Sequence, residues 1–363
     1  MLQSRDKISL RQALLMCIVV EFSPTVRLAG SYAAKAAKQA GWISAILSAI
    51  PIVILLFILK AFYKKKYKEA HFMDIIKDIM GNILGRIIIV MYFIWLLLLW
   101  VLYTRYFAER LVGTVAPNVN ISIFIIAMLI MATIALRSGI TVIARMNEII
   151  VLIIIFALYS LFLFSLPLVK INNITPIYFT DILPAFSGSI VFWALYGYLL
   201  VFFFFGNQIN DKEKLLKFGM YKGIVLVISN TMLILFIIGS LGSSLTSRLP
   251  WATFVWIKQI SVFGVVERIE SIALVLWVLS DFMIISVFAY AMLYIIKDFF
   301  KLSNYKPLVI PFTTWGYFLS LLITNNTFEL EKASNVFFIP ANIVLEYAVP
   351  LLILIVGKIR KKV

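Results

Sequence analysis

The chain reads as an all-α integral membrane protein of ten transmembrane helices, arranged as a five-plus-five inverted repeat in which helices one and six are broken. Three observations lead there. Of its 363 residues 63% are hydrophobic and only 14% charged, with mean hydropathy +1.02, too little polar surface to cover a soluble globule. The apolar runs are about twenty residues long, as a hydrocarbon core of roughly 30 Å requires. With the amino terminus inside, the cytoplasmic segments carry 23 of the 33 Lys and Arg and the other side 10, an asymmetry that fits an even number of spans and two cytoplasmic termini. The same asymmetry turns the net charge of +16 into an orientation signal, with attraction to lipid headgroups as a secondary effect and no call for nucleic acid. Ten spans split into five and five, and an odd number per half forces the halves into opposite orientations, repeat one over about 8–167 and repeat two over about 185–357 of one domain.

The spans fall near 9–26, 42–61, 87–107, 121–136, 146–167, 187–206, 223–245, 271–296, 308–324 and 336–357. The first is not a cleaved signal peptide by pattern, since no small-residue cleavage site follows it. It is interrupted by EFSPTVRLAG, residues 21–30. Pro24 has no N–H and crowds the carbonyl four residues back, so the helix is expected to kink or end near Val20. Either this is the outer end of span one, or the helix breaks at the midplane and resumes as a short half-helix through 31–40. The dozen or so apolar-rich residues before the break reach only ~18 Å, which favours the second reading. The amides that open such a half-helix can hold a carboxylate, with the hydroxyls of Ser23 and Thr25 adding hydrogen bonds. Glu21 and Arg27 are costly in lipid and should face inward, paired with each other, with another span or with a ligand.

Between spans two and three, Phe72, Ile76, Ile79, Met80 and Ile83 recur at helical spacing around Lys77, Asp78 and Asn82, an amphipathic surface helix that anchors or docks. Span three brings Tyr103 to useful depth. Span six carries Trp193 and then Tyr196, Gly197 and Tyr198 in mid-run, where glycine marks the counterpart of the first break and the rings suit an apolar side chain or an ammonium group. Segment 248–271, rich in Trp and Phe yet too polar for a span, is expected at the outer interface. Span eight holds Asp281, an isolated intramembrane carboxylate that takes a proton, a cation, a Lys or Arg partner, or an interhelical hydrogen bond. Gly81/Gly85 and Gly219/Gly223 match GxxxG but lie outside long apolar runs, which weakens a packing role for them. Cys17 and His71 are the only residues of their types, so neither a disulfide framework nor a Cys/His metal cluster is expected, and the composition speaks against a metalloenzyme.

Two stretches resemble a known family. AAKAAKQAGWISAIL (33–47) and PWATFVWIKQISVFGVVERIESIALVLWV (250–278) are similar to the spore germination permeases, the B subunits of nutrient germinant receptors in endospore-forming bacteria. The resemblance in length and span pattern covers essentially the whole chain. It implies an amino acid/polyamine/organocation permease fold of LeuT-like type, no enzyme activity, no cofactor, and a place in the inner membrane of the dormant spore beside an A subunit and a C lipoprotein. The expected ligand is a small nutrient such as an amino acid, bound in a midplane cavity by Phe22, Ser23, Pro24, Thr25, Tyr103, Trp193, Tyr196, Gly197, Tyr198 and Asp281, and signalled to the partner subunits. A secondary amino-acid or polyamine transporter coupled to H+ or Na+, and a scaffold with a vestigial cavity, are the competing expectations. Phe22 and Phe202 to Phe205, lying near the pathway, would obstruct passage and lean toward a receptor. Where family members often carry a glycine-rich break in span one, this chain has Ser23-Pro24-Thr25. Glu267, Arg268 and Glu270 of the second stretch are expected near the membrane surface in a structural or subunit-contact role.

Overall fold

Ser9 starts the first helix: its side chain accepts from the Gln12 amide while Gln12 returns a bond to the Ser9 N–H, a capping box that fixes where the coil ends. In the computed structural model, which describes residues 7–63, 65–260, 270–324 and 326–363, helix α1 (Leu10–Ala37) then runs 28 residues with Pro24 inside it. At 1.5 Å per residue that is about 42 Å, longer than the hydrocarbon is thick. The expected break of helix one, with a separate half-helix over 31–40, is therefore not found.

The rest follows in chain order: α2 (Gly41–Leu47) and α3 (Ala49–Phe62) form span two, α4 (Phe72–Met80) is the amphipathic helix, and α5 (Asn82–Thr114), α6 (Ile121–Ser138) and α7 (Ile140–Ser165) are spans three to five. Span six is α8 (Ile182–Tyr196), a turn at Gly197 and Tyr198, α9 (Leu199–Phe202) and a tight 3-10 stretch, Phe203–Gln208. Beyond it lie α10 (Leu215–Leu241), the short α11 (Ser243–Arg248) and α12 (Ala252–Lys258), then α13 (Glu270–Phe299) and α14 (Val309–Leu322). Span ten is a composite of α15 (Thr327–Ala333), α16 (Ile339–Ile343) and α17 (Val349–Ile359), joined by π-helical turns at Ser334–Phe338 and Val344–Ala348. Eight helical runs among the described residues are long and apolar enough to cross a membrane. The first of these, Leu10–Phe62, holds two spans, and the 14-residue α14 is a further, shorter one, which accounts for all ten expected.

Apolar side chains cover the outside, Phe156 standing 78% exposed, as lipid contact demands, while the largest apolar cluster of the interior runs through every span and a second gathers around Phe162, Phe236 and Trp256. A two-residue parallel ladder pairs β1 (Ile8–Ser9) with β2 (Ile209–Asn210) and ties the start of α1 to the end of span six. Pairing of glycines with large residues brings helices close: a Cβ at Gly223 would stand 2.9 Å from Ile52, and one at Gly219 would collide with Leu56. The Gly219/Gly223 pair thus does serve packing, of α10 on α3, although it opens the apolar run instead of lying within it.

Two surface expectations change. Helix α4 buries Phe72, Ile75, Ile76 and Ile79 against protein, Phe72 meeting Phe62, Tyr92 and Phe204 edge to face, while Ile83 belongs to α5 and is 81% exposed. Segment 248–260 is folded inward instead of lying at the interface: Trp256 is fully buried, and Thr253 donates 2.6 Å to the Val26 carbonyl of α1. Glu267 and Arg268 lie outside the described residues.

Asp78 of α4 holds the carboxy-terminal tail: it accepts from Lys66 (2.5 Å), Tyr67 (2.6 Å) and Lys362 (2.9 Å). These donors, Lys66 first, keep its carboxyl well below the ordinary value of 3.8. A depressed carboxyl contributes in full above that ordinary value and loses its contribution only as pH falls through the depressed one. The tail is therefore expected to stay docked throughout the neutral and mildly acidic range, and Asp78→Asn to release it at neutral pH. A nitroxide at a cysteine replacing Val363 reads this, since the natural Cys17 is buried: its spectrum should sharpen in the variant.

Candidate functional site

Pro24 removes one rung of the α1 ladder, and the neighbouring rung is rebuilt through another helix. The Ser23 N–H donates to Ser280 Oγ (2.9 Å), and that hydroxyl donates to the Val19 carbonyl (2.6 Å). A side chain of α13 is thus inserted between the two groups that an uninterrupted α-helix would join to each other. The insertion explains why the helix continues where the sequence points to a break. Buried backbone groups must be paired, and here the partner arrives from span eight.

Next to it lies a charged knot. Ser23 Oγ donates to Asp281 Oδ1 (2.5 Å) and accepts from Arg110 Nη1 (3.2 Å), and Arg110 of α5 forms an ion pair with Asp281 of α13. The indole of Trp277 lies 5.2 Å from the same guanidinium. Asp281 thus has the Arg partner that was one of its expected alternatives, and spans one, three and eight are joined at one point.

A second pair sits on the other side of α1. Glu21 does not meet Arg27: it accepts from Lys222 of α10 at 2.7 Å and from the Cys17 thiol at 3.0 Å, all three buried. Lys222, which hydropathy counts with the cytoplasmic loop, is an interior charge. Arg27 stacks on the Tyr106 ring at 3.5 Å, its two terminal nitrogens buried and without hydrogen-bond partners. Pairing of Glu21 with Arg27 would need the broken conformation; on a continuous helix a spacing of six residues points them to different sides.

Opposite stands the turn in span six. Tyr198 and Tyr103 share a hydrogen bond of 2.5 Å, and Asn342 of span ten donates to Tyr198 Oη (3.1 Å) and to the Ala194 carbonyl (2.9 Å), satisfying an acceptor at the end of α8. Asn342 is itself held by Trp95, whose indole donates to it at 2.8 Å. Tyr196 accepts from Asn230 (2.6 Å) and Ser48 (3.4 Å). Any Cβ at Gly197 would enter the carboxylate of Glu346, so only glycine fits the turn against span ten.

Of the residues expected at the site, Ser23 and Asp281 are bonded to each other, Tyr103 to Tyr198, and Gly197 lies at the turn. Pro24 lies inside α1, and Thr25 Oγ1 is buried without a partner. Phe22 is half-buried between the two main apolar clusters, and Trp193 packs on Tyr347 at 5.7 Å with its N–H unpartnered. Arg110, Lys222, Ser280, Asn342 and Glu346 complete the polar interior. Glu346 offers the same sequence signal as Asp281, a lone carboxylate in an apolar run. Beyond the turn in span six, Phe202, Phe203, Phe204 and Phe205 are all fully buried, Phe204 on Tyr92 and Phe205 on Tyr290.

The family model described as "Spore germination protein" matches residues 7–328. Spore germination protein KB of Bacillus subtilis (strain 168) is 25% identical over 284 residues, covering 73% of this chain and 74% of that protein. Among solved structures, MhsT in complex with L-phenylalanine aligns over 95% of this chain and 89% of its own, with TM-score 0.58 at 14% identity. That likeness shows the fold, an all-α membrane fold of LeuT-like type.

Two substitutions test the reading of the site. Ser280→Ala leaves the Ser23 N–H and the Val19 carbonyl without their bridge and is expected to cost about 1–3 kcal/mol. Arg110→Ala strands Asp281 and should cost about 3–5 kcal/mol. Thermal unfolding in detergent reads both, and Arg110→Ala combined with Asp281→Ala should be less damaging than Arg110→Ala alone.

Proposed function

The chain belongs to the spore germination protein family, and from that premise we propose that it is the nutrient-sensing membrane subunit of a germination receptor. Family and fold are those of a multi-pass permease or receptor-type membrane protein. In the finer reading, a small molecule such as an amino acid occupies the space between α1, α5, span six and α13, contacting Phe22, Ser23, Pro24, Thr25, Tyr103, Trp193, Tyr196, Gly197, Tyr198 and Asp281. Its arrival shifts a conformational equilibrium that an A subunit and a C lipoprotein transmit, in the spore inner membrane, with both termini cytoplasmic. The two halves, about 8–167 and 185–357, form one domain whose broken and bridged helices face each other at the site.

The observation that carries the reading is the junction of α1 with span six. Both helices lose regular ladder bonds, one at Ser23–Pro24 and one at Gly197–Tyr198, and both are patched by side chains from elsewhere. Such patches exchange at little cost for ligand groups. The four buried phenylalanines below favour a receptor over a carrier, because a solute moving inward would have to displace all of them.

Uptake into proteoliposomes separates the two. The receptor reading expects saturable amino-acid binding without accumulation; robust H+- or Na+-coupled accumulation by the chain alone would replace it with the transporter. Gly197→Trp fills the turn and is expected to abolish the germination response of spores; assembly of the receptor complex and a response both unchanged would make the site irrelevant.

A further inference from the structure

Adding up the buried charges of the site among the described residues leaves one carboxylate without a counterpart. Lys222 is taken up by Glu21 and Cys17, and Arg110 by Asp281. Glu346 of span ten is fully buried, and neither of its oxygens has a hydrogen-bond partner. Arg27, the remaining buried cation of the site, lies on Tyr106 and forms no ion pair with it. A lone carboxylate inside a membrane protein is costly enough to mark a functional place.

No nearby donor reaches the carboxylate: the Trp193 N–H and the Tyr347 hydroxyl are buried without partners, and the others are committed elsewhere. Tyr92 donates to the Leu345 carbonyl at 2.6 Å, the Asn342 amide to Ala194 and Tyr198, and Tyr198 is bonded to Tyr103. The other charged or titratable groups facing Glu346 are Glu21 from α1, Tyr103 and Tyr92 from α5, Tyr198 from span six, and Tyr347 beside it. Its setting therefore offers rings, hydroxyls and a second carboxylate, and among the described residues no cation.

Geometry aims the carboxylate at the turn in span six. The π-helical stretch Val344–Ala348 precedes Pro350, whose missing N–H would otherwise have met the carbonyl of residue 346. Glu346 reaches the space that a Cβ at Gly197 would fill, and Trp193, one turn before Gly197, packs on the ring of Tyr347, the residue after Glu346, at 5.7 Å. An alkylammonium group has the matching chemistry: one positive charge, N–H donors for two free oxygens, and an affinity for aromatic faces.

We propose that Glu346 receives the cationic amine of the ligand at the turn of span six. The proposal rests on the reading of that turn as a ligand site. It makes the recognised compound an amine-bearing one, held by span ten as well as by spans one and six.

The test uses the purified full chain in nanodiscs, with thermal stabilisation as the readout and methylammonium chloride as the probe, against sodium chloride at equal ionic strength. Wild type should be stabilised by methylammonium beyond sodium. Glu346→Gln, of the same shape without the charge, should weaken the apparent affinity on the order of thirtyfold or more, the loss typical of removing one member of a buried charge pair. Glu346→Asp should keep the preference for methylammonium, which guards against a Gln variant that fails to fold. Equal stabilisation of wild type by the two salts, as expected if the carboxyl holds only a proton, would overturn the proposal, as would a Gln variant that binds methylammonium like wild type. A mixture of the standard amino acids is run in parallel. If it leaves wild type unaffected while methylammonium acts through Glu346, the germinant reading fails and the amine site stands.

Discussion

Hydrocarbon accepts no hydrogen bonds, so every polar group that the chain carries into the membrane has to be answered by another part of the same chain. The bridge from the Ser23 amide through Ser280 to the Val19 carbonyl is where that constraint acts most directly. Proline at 24 weakens α1 in the middle of the bundle, and the hydroxyl of α13 bridges the neighbouring rung. Because α13 supplies it, α13 is fixed in register against α1. The same contact places Asp281, one residue on, within reach of Ser23 and Arg110, so a backbone repair and a buried ion pair share one helix crossing.

Span six answers the constraint differently. Its ladder does lapse at Gly197–Tyr198, where Asn342 meets the Ala194 carbonyl, and Asn342 and Tyr103 hold the Tyr198 hydroxyl. Spans one and six are therefore not symmetric in detail. One is continuous and bridged, the other turned and capped. Both depend on side chains from helices late in the sequence, and the residues that complete them, Ser280 and Asn342, belong to spans eight and ten.

The fold was legible in the sequence because length and hydropathy are set by the thickness of the membrane, and Gly197 and Asp281 stood out as a gap and a charge in apolar runs. Partnerships were not legible. Arg110 and Lys222 lie beyond the ends of the most apolar windows, so they read as loop charges, whereas their helices extend a turn or more further and carry them inside. Pro24 correctly marks a weak point, but whether a weak point becomes a break depends on the hydroxyl of a residue more than two hundred and fifty positions away, which no local pattern contains. Glu346 could have been found by the rule that found Asp281. The two prolines of span ten, at 340 and 350, draw attention to the backbone and away from the carboxylate between them.

The small ladder between Ile8–Ser9 and Ile209–Asn210 has a mechanical meaning. It ties the root of α1 to the tail of span six, just past the buried rings of Phe202 to Phe205. Sliding one strand past the other would break both pairs at once, whereas tilting about the ladder breaks neither. The two spans thus share a backbone contact at one end, so that a shift of the root of α1 bears directly on the tail of span six.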